Sequence, residues 1–443
     1  MSRLSVVLAL VCASFAACQG AAAKTLIIAN ARIIVGTGQV IDKGAIVVKD
    51  GKIVSVAAGR APASAKGERI DASGMTVIAG YIDDHRHIIQ GAGPTPFGLT
   101  NTGTVDGFLK DGAADAMRDL LEAGFTTVQS GGDDNAGILK LKQMIDSGQI
   151  KGPRIVSSVS VPVSRMASEA QVRAAIDAAH ASGADSIAEV PYPFPFPNPK
   201  AQWPFAPGEQ ETKNLAAALD EAAKLNMPFQ IHAVSPDAMV AAVRLGAKRL
   251  VHSSHYAWLT DDQAKEIKAS GAIVASSTNV PGAVFDVYSH DNQPAYRDSR
   301  PWPDGGPKGE AGGEPDGRSA AFMPLNFRTL FDNGVEVSFS GDAMAYTMHS
   351  PYNANEVLKQ ELKTLNLVFS PIDMIRIMGQ NSADFVYRGK DLGTLEPGKL
   401  ADINILTGNP LDGYWNFLRP VLVIKGGEIV VDKRKQLHTV KAL

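Results

Sequence analysis

The sequence predicts an α/β protein, a (β/α)8 TIM barrel with a small β-sandwich domain built from both chain ends. Three observations carry this prediction. From residue 76 onward apolar strands alternate with amphipathic helices through eight units, the rhythm of a barrel of roughly 250–300 residues. Both chain ends are instead rich in β-branched residues and tight turns. Histidines and carboxylates recur at the ends of the predicted barrel strands, where barrel sites are built. The domains are therefore drawn as 1–23, a leader; 24–79 plus 388–443, the discontinuous β-sandwich; and 80–387, the barrel.

Arg3 precedes the apolar run Leu4 to Ala17, and Ala21-Ala22-Ala23 follows. A basic start, a short apolar stretch and an A-x-A-like site predict a secretory signal cleaved after Ala23. The chain is then exported, periplasmic or secreted. Phe15-Ala16-Ala17-Cys18 is also an imperfect lipobox, so a membrane-anchored lipoprotein with its lipid on Cys18 is the alternative. The two cysteines, Cys12 and Cys18, both lie here, which excludes an internal disulfide, cysteine catalysis and cysteine-ligated zinc in the mature chain. A net charge of -3 does not suggest nucleic acid as a partner. A small-molecule substrate is expected, and self-association into a homo-oligomer is left open.

Thr25 to Asn30, Ala45 to Val48 and Lys52 to Val56 read as strands, with Lys49-Asp50-Gly51 as a hairpin turn. Met75 to Ile82 reads as one buried strand leading into Asp83-Asp84-His85-Arg86-His87. The later strands are Thr126 to Gln129, Arg154 to Ser158, Ser186 to Val190, Pro228 to His232, Arg249 to His252, Ala272 to Ser276 and Val335 to Ser340. Predicted helices include Ala113 to Ala123, Glu169 to Ser182, Leu215 to Leu225, Asp237 to Leu245, Asp261 to Ser270 and Phe327 to Asn333. Ser370-Pro371 starts another helix, with a good N-cap and Pro at N1. The β character returns after Tyr387. Three long irregular stretches follow strands: Gln90 to Gly107, Pro191 to Gln210 and Pro281 to Met323. The last has the length of a lid over substrate or of a surface insertion.

His85 and His87 alternate onto one side of their strand. His232 and His252 end their strands, Glu189 lies near the end of another, and Asp342 follows the last. Imidazoles and carboxylates without thiols suit one or two divalent metal ions, zinc foremost, with a position open for water. His255, Tyr256 and Tyr192 stand close by in sequence as candidates for substrate binding.

Ile82-Asp83-Asp84-His85-Arg86-His87 resembles the Ile-Asp-x-His-x-His signature of the amidohydrolase superfamily. Gly124-Phe125-Thr126-Thr127-Val128, Gly152-Pro153-Arg154, Gly183-Ala184-Asp185, Gly341-Asp342-Ala343 and Leu395-Glu396-Pro397-Gly398-Lys399-Leu400-Ala401-Asp402 resemble its imidazolonepropionase-like branch, which includes Xaa-Pro dipeptidase-like members. The resemblance runs from about residue 25 to 432 and implies the same barrel and split β-sandwich. It also implies a metal-dependent hydrolase acting on a C–N amide bond, or a related ester or lactone. N-acyl amino acids, prolyl dipeptides and cyclic amides are the substrate types it suggests.

The chain departs from the pattern at one place. Binuclear relatives carry Gly-Ala-Asp-x-Ile-Lys, with a carboxylated lysine bridging two metals. Here Gly183-Ala184-Asp185-Ser186-Ile187 is followed by Ala188-Glu189. An ideal strand would point Glu189 away, whereas a bulge would turn it inward as a replacement bridge. The rival is a mononuclear site of His85, His87, His232 and Asp342. Gln129-Ser130 also replaces the usual Arg-Asp.

The expected mechanism is attack by a metal-bound hydroxide. Asp342 is the proton shuttle, and His252 helps to polarise the scissile carbonyl. Alternatives are a mononuclear cyclic-amide hydrolase or deaminase, a phosphotriesterase- or lactonase-like enzyme, and a degenerate barrel that binds without turnover.

Overall fold

The computed structural model describes residues 25–89, 93–94, 100–101, 104–193, 207–254, 257–278, 317–342 and 354–436. The leader with Cys12 and Cys18, the candidates His255 and Tyr256, and most of the three long loops lie outside the described residues.

The N-terminal strands are β1 (Thr25–Ile34), β2 (Val40–Lys49), β3 (Lys52–Ala58), β4 (Glu68–Asp71) and β5 (Thr76–Ala79). Asp50 and Gly51 both take positive φ, 50° and 77°. That is the geometry that lets a two-residue turn match the strand twist, and β2 and β3 pair antiparallel across it.

The next strand, β6 (Tyr81–Arg86), belongs to a different sheet. The apolar run expected as one strand is thus two, broken at Gly80. A Cβ on Gly80 would sit 2.4 Å from the Thr126 side chain, so only glycine permits the close approach. The Gly80 N–H leaves the ladder and donates to the Asp402 carbonyl at 2.9 Å. Hydrophobicity is continuous through the break because both strands are buried.

A two-residue ribbon follows, β7 (Gly93–Pro94) with β8 (Thr100–Asn101). Then come β9 (Phe125–Ser130), β10 (Arg154–Val156), β11 (Ser158–Val159), β12 (Ser186–Pro191), β13 (Phe229–His232), β14 (Arg249–Val251), β15 (Ile273–Ala275) and β16 (Glu336–Ser338). Strands β6, β9 and β10 pair in parallel, as do β11 through β16. Ser157 separates β10 from β11, and its N–H is held by the Asp185 carboxylate at 2.8 Å. The last strand meets the first through Asp84 N–H to the Phe339 carbonyl (3.0 Å) and Asp342 N–H to the His85 carbonyl (2.9 Å).

Helices follow each parallel strand, counting β10 and β11 as one: Ala113–Ala123, Asn135–Asp146, Glu169–Ala181, Glu209–Lys224, Pro236–Arg244, Asp261–Ser270, Gly317–Asp332 and Ala354–Leu365. Leu120, Ile138, Ile176, Leu215, Met239, Ile267 and Leu358 pack inward from them, nearly or fully buried. The helix expected from Leu215 starts earlier, at Glu209, because Glu211 Oε2 accepts the Gly208 N–H. The helix expected from Phe327 also starts earlier, at Gly317, and runs through Pro324. Ser370 caps Pro371–Arg376, where the sequence placed it.

The chain ends with β17 (Ile403–Leu406), β18 (Leu422–Lys425) and β19 (Glu428–Asp432). They join the N-terminal strands in one eight-stranded sheet of order β19-β18-β17-β5-β1-β2-β3, with β4 on β1. Leu26, Ile28, Ile33, Val77, Ile403 and Leu422 share its core. Arg154 in β10 pairs with Asp402 at 2.7 Å, which fastens this sheet to the parallel strands. The other Asp402 oxygen accepts the Gly426 N–H at 2.7 Å.

Candidate metal centre

Six predicted residues meet at one set of strand ends. His85 lies near the end of β6 and His87 just past it. Glu189 and His232 lie at the ends of β12 and β13. His252 directly follows β14, and Asp342 lies four residues beyond β16.

Their side chains form two triads. His85, His87 and Asp342 are one, and Glu189, His232 and His252 the other. In each, the candidate ligand atoms all lie within 4.8 Å of one another. The carboxylates interleave the triads. Asp342 Oδ1 is 3.3 Å from His87 Nε2 and 3.5 Å from His85 Nε2, while its Oδ2 is 3.6 Å from His252 Nε2. Glu189 Oε2 is 3.2 Å from His232 Nδ1, 3.5 Å from His85 Nε2 and 3.8 Å from His252 Nε2, and its Oε1 is 3.9 Å from His87 Nε2.

Glu189 arrives there through a bulge. Ile187 pairs with Phe229, but Val190 pairs with Ile231. Three residue steps on β12 therefore face two on β13, which rephases the side chains after Ala188. Backbone strain marks two of the other residues: His252 has φ 70° and Asp342 φ 38°. Such conformations cost of order 1–3 kcal/mol each and persist where surrounding structure enforces them, often at functional sites.

Opposite charge dominates the electrostatics. Burial alone would depress His85, but Glu189 and Asp342 outweigh it and push its pKa up to about 10. His87 is raised against the same burial, chiefly by Asp342. Burial would raise both carboxylates. His85 and His232 instead bring Glu189 down to about 2, and His85 and His87 hold Asp342 well below its usual range.

Groups that sequence reasoning missed hold these residues. Gln230 Oε1 meets His85 Nδ1 at 2.6 Å. Asp133 Oδ1 accepts the N–H groups of Ile88 (2.7 Å) and Ile89 (2.5 Å), and its Oδ2 accepts the Ser130 hydroxyl (2.6 Å). The turn that carries His87 is thereby clamped. Asp83 Oδ1 accepts the Gly341 N–H at 2.8 Å, beside Asp342. A Cβ on Gly131 would sit 2.7 Å from the His85 ring, so this glycine makes room for it. One signal was available for Gln230, which alternates with His232 in Gln230-Ile231-His232. Asp133 had none, because the groups through which it clamps the His87 turn are backbone N–H groups 44 and 45 residues away.

Tyr192 is buried in the hydrophobic core, and its hydroxyl lies 3.2 Å from Thr212 Oγ1. Its backbone N–H donates to the His232 carbonyl at 3.0 Å, so it joins the six-residue set through the main chain. His180 lies on the helix Glu169–Ala181, outside that set.

The donor set suits divalent metal. His85 Nε2 is buried without a hydrogen-bond partner and faces both carboxylates. A buried polar atom left so is costly unless a cation or proton meets it.

An α/β fold with strand-end imidazoles and carboxylates defines a class of hydrolytic metal enzymes. Residues 76–430 match the family described as "Amidohydrolase family". The imidazolonepropionase of Caldanaerobacter subterraneus subsp. tengcongensis is 22% identical over 437 residues, covering 88% of this chain and 91% of that protein. A solved Xaa-Pro dipeptidase with bound methionine in its active site is 19% identical with a TM-score of 0.70, covering 92% of this chain and 100% of its own. Molinate hydrolase is 17% identical with a TM-score of 0.72, covering 92% and 95%. The chain belongs to the amidohydrolase family and is a hydrolase acting on carbon–nitrogen bonds.

Proposed function

We propose that this enzyme is a two-metal amidohydrolase that cleaves the amide C–N bond of a small molecule: an N-acyl amino acid, a prolyl dipeptide or a cyclic amide. The reading rests on one observation above the others, the Glu189 carboxylate lying within 3.9 Å of all four site imidazoles. His85, His87 and Asp342 would hold one divalent ion, and Glu189, His232 and His252 the other, zinc being the favoured metal. Glu189 replaces the carboxylated lysine expected at the neighbouring position. Bound there, a divalent ion supplies Lewis acidity that polarises a carbonyl and acidifies water.

The chain's own groups then divide the proton work. Asp342 takes the proton of the attacking water on a carboxylate oxygen and returns it to the leaving amine nitrogen. His252, whose Nε2 is 3.6 Å from Asp342 Oδ2, would hold the second ion beside the scissile carbonyl and act on that carbonyl through it. Gln230 and Asp133 keep His85 and His87 in place while the proton moves.

Two architectural readings accompany the proposal. The eight strand–helix units are read as a closed (β/α)8 barrel, supported by the hydrogen bonds between Asp84 and Phe339 and between Asp342 and His85. Residues 24–79 plus 388–443 are read as the split β domain, supported by their shared sheet. Export through the residue 1–23 leader remains part of the proposal.

The test combines metal analysis with a substrate panel. The zinc-loaded enzyme should contain two ions per chain and hydrolyse at least one of the three amide types. One ion per chain would replace the reading with a mononuclear site. Two ions without turnover on any amide, ester or lactone would favour a binding barrel.

A further inference from the structure

Gln230 is fully buried in β13, two residues before His232. Its Nε2 lies 3.3 Å from the Ser130 carbonyl oxygen and 3.3 Å from Ser158 Oγ. A backbone carbonyl can only accept. The NH2 end of the amide therefore faces Ser130, and Oε1 faces His85 Nδ1 at 2.6 Å. That oxygen can only accept as well, so His85 Nδ1 must carry a hydrogen.

Neighbours hold the amide in this orientation. Ser158 Oγ accepts from Gln230 and from Gln129 Nε2 (3.4 Å), and it lies 2.5 Å from Ser186 Oγ. With its two lone pairs taken, the Ser158 hydroxyl donates to Ser186. Gln129 Nε2 also donates to Ser186 Oγ at 2.8 Å. Gln129, Ser158, Ser186 and Gln230 thus form one buried polar layer beneath the candidate metal centre. Gln129 stands where the family pattern has arginine.

We infer that Gln230 is a positioning residue that fixes His85 as its Nδ1–H tautomer and so aims the Nε2 lone pair into the metal centre. A neutral imidazole with hydrogen on Nδ1 has its lone pair on Nε2, the atom 3.5 Å from Glu189 Oε2 and from Asp342 Oδ1. A neutral amide does this without adding a third negative charge beside the two carboxylates. It also supplies the donor that Ser130 needs, which a carboxylate lacks. The inference rests on the reading of the six residues as a metal site.

The test compares the full-length wild type with Gln230→Leu and Gln230→Glu. Zinc affinity is measured by competition with a chromogenic chelator, and cobalt-substituted protein is examined by visible spectroscopy. Gln230→Leu should weaken zinc binding by about 10–100-fold, the effect typical of outer-shell partners, and should alter the cobalt spectrum. Gln230→Glu keeps the acceptor but loses the donor to Ser130, so its affinity should lie between those of Gln230→Leu and wild type. Should Gln230→Leu fail to fold, Ser158→Ala, which only loosens the amide, must weaken zinc by several-fold. Wild-type affinity and spectrum in the Leu variant, or a Glu variant that folds yet binds as weakly as Leu, overturns the positioning role alone. A wild type that binds no zinc overturns the metal reading itself.

Discussion

Glu189 Oε2 lies 3.2 Å from His232 Nδ1, on adjacent strands whose register slips by one residue just before the contact. The slip is what brings a carboxylate into the space between four imidazoles. Replacing Glu189 by glutamine keeps the shape and removes the charge. The Gln variant should lose zinc affinity by more than the roughly 10–100-fold typical of outer-shell changes and drop to at most one ion per chain. Elemental analysis after dialysis against a weak chelator reads this directly. Two retained ions at wild-type affinity would remove Glu189 from the ligand set.

Asp342 is the proton carrier in the proposed reaction. In metal-replete Asp342→Asn protein, turnover should fall by about 10²–10⁴-fold, the usual worth of a general base. Single-turnover kinetics on the best amide substrate measures the chemical step. Near-wild-type turnover would assign the proton transfer to another group.

Metal removal exposes a pH dependence whose sign follows from the site. Burial works against both shifts, and opposite charge prevails. His85 rises from 6.5 to about 10, and Glu189 falls from 4.5 to about 2. Stability from protonated His85 is complete below 6.5 and is lost as pH rises through about 10. Stability from ionised Glu189 is present above 4.5 and is lost as pH falls towards about 2. Calorimetry on chelator-treated protein should therefore show Tm declining on both sides, and His85→Gln should shrink the alkaline decline, leaving the share that His87 contributes. An unchanged Tm from neutrality to pH 10 in the metal-free wild type contradicts this account.

Asp402 joins the terminal sheet to β10 through Arg154. Asp402→Ala leaves the Gly426 N–H without its acceptor and the Arg154 guanidinium, 18% exposed, without its counter-charge and with only the Thr127 hydroxyl at 2.9 Å. Losses of 3–5 kcal/mol are typical when a fully buried pair is broken. Partial solvent screening of Arg154 lowers the expected cost to about 2–4 kcal/mol. Urea unfolding measures it, and a change below about 0.5 kcal/mol, the range of ordinary surface substitutions, would show that the pair does not fasten the sheet.

The alternation of strand and helix was legible because burial periodicity is local. The helix Asp261–Ser270 lies where its pattern placed it, and the Lys49 to Gly51 hairpin turn matches its composition. The break at Gly80 was not legible, since both flanking strands are buried and the reason for the glycine is Thr126, 46 positions later. The six candidate ligands stood out because their chemistry is rare at strand ends. Their supports did not. A buried glutamine or aspartate looks like any other until the carbonyl or imidazole that it faces is known.

The contacts at Asp83, Asp84 and His85 reach Gly341, Phe339 and Asp342, a span of roughly 255 residues. That separation sets an order of events. During synthesis, His85 and His87 emerge long before Asp342, and nothing local can hold the earlier pair in its final geometry. Contacts so distant in sequence bear a large closure entropy and form late. Completion of the first candidate triad is therefore a late event in folding. A nascent chain halted before residue 342 would carry its histidines without their carboxylate partner, and the proposed centre would assemble only as β16 and the residues after it seat against β6.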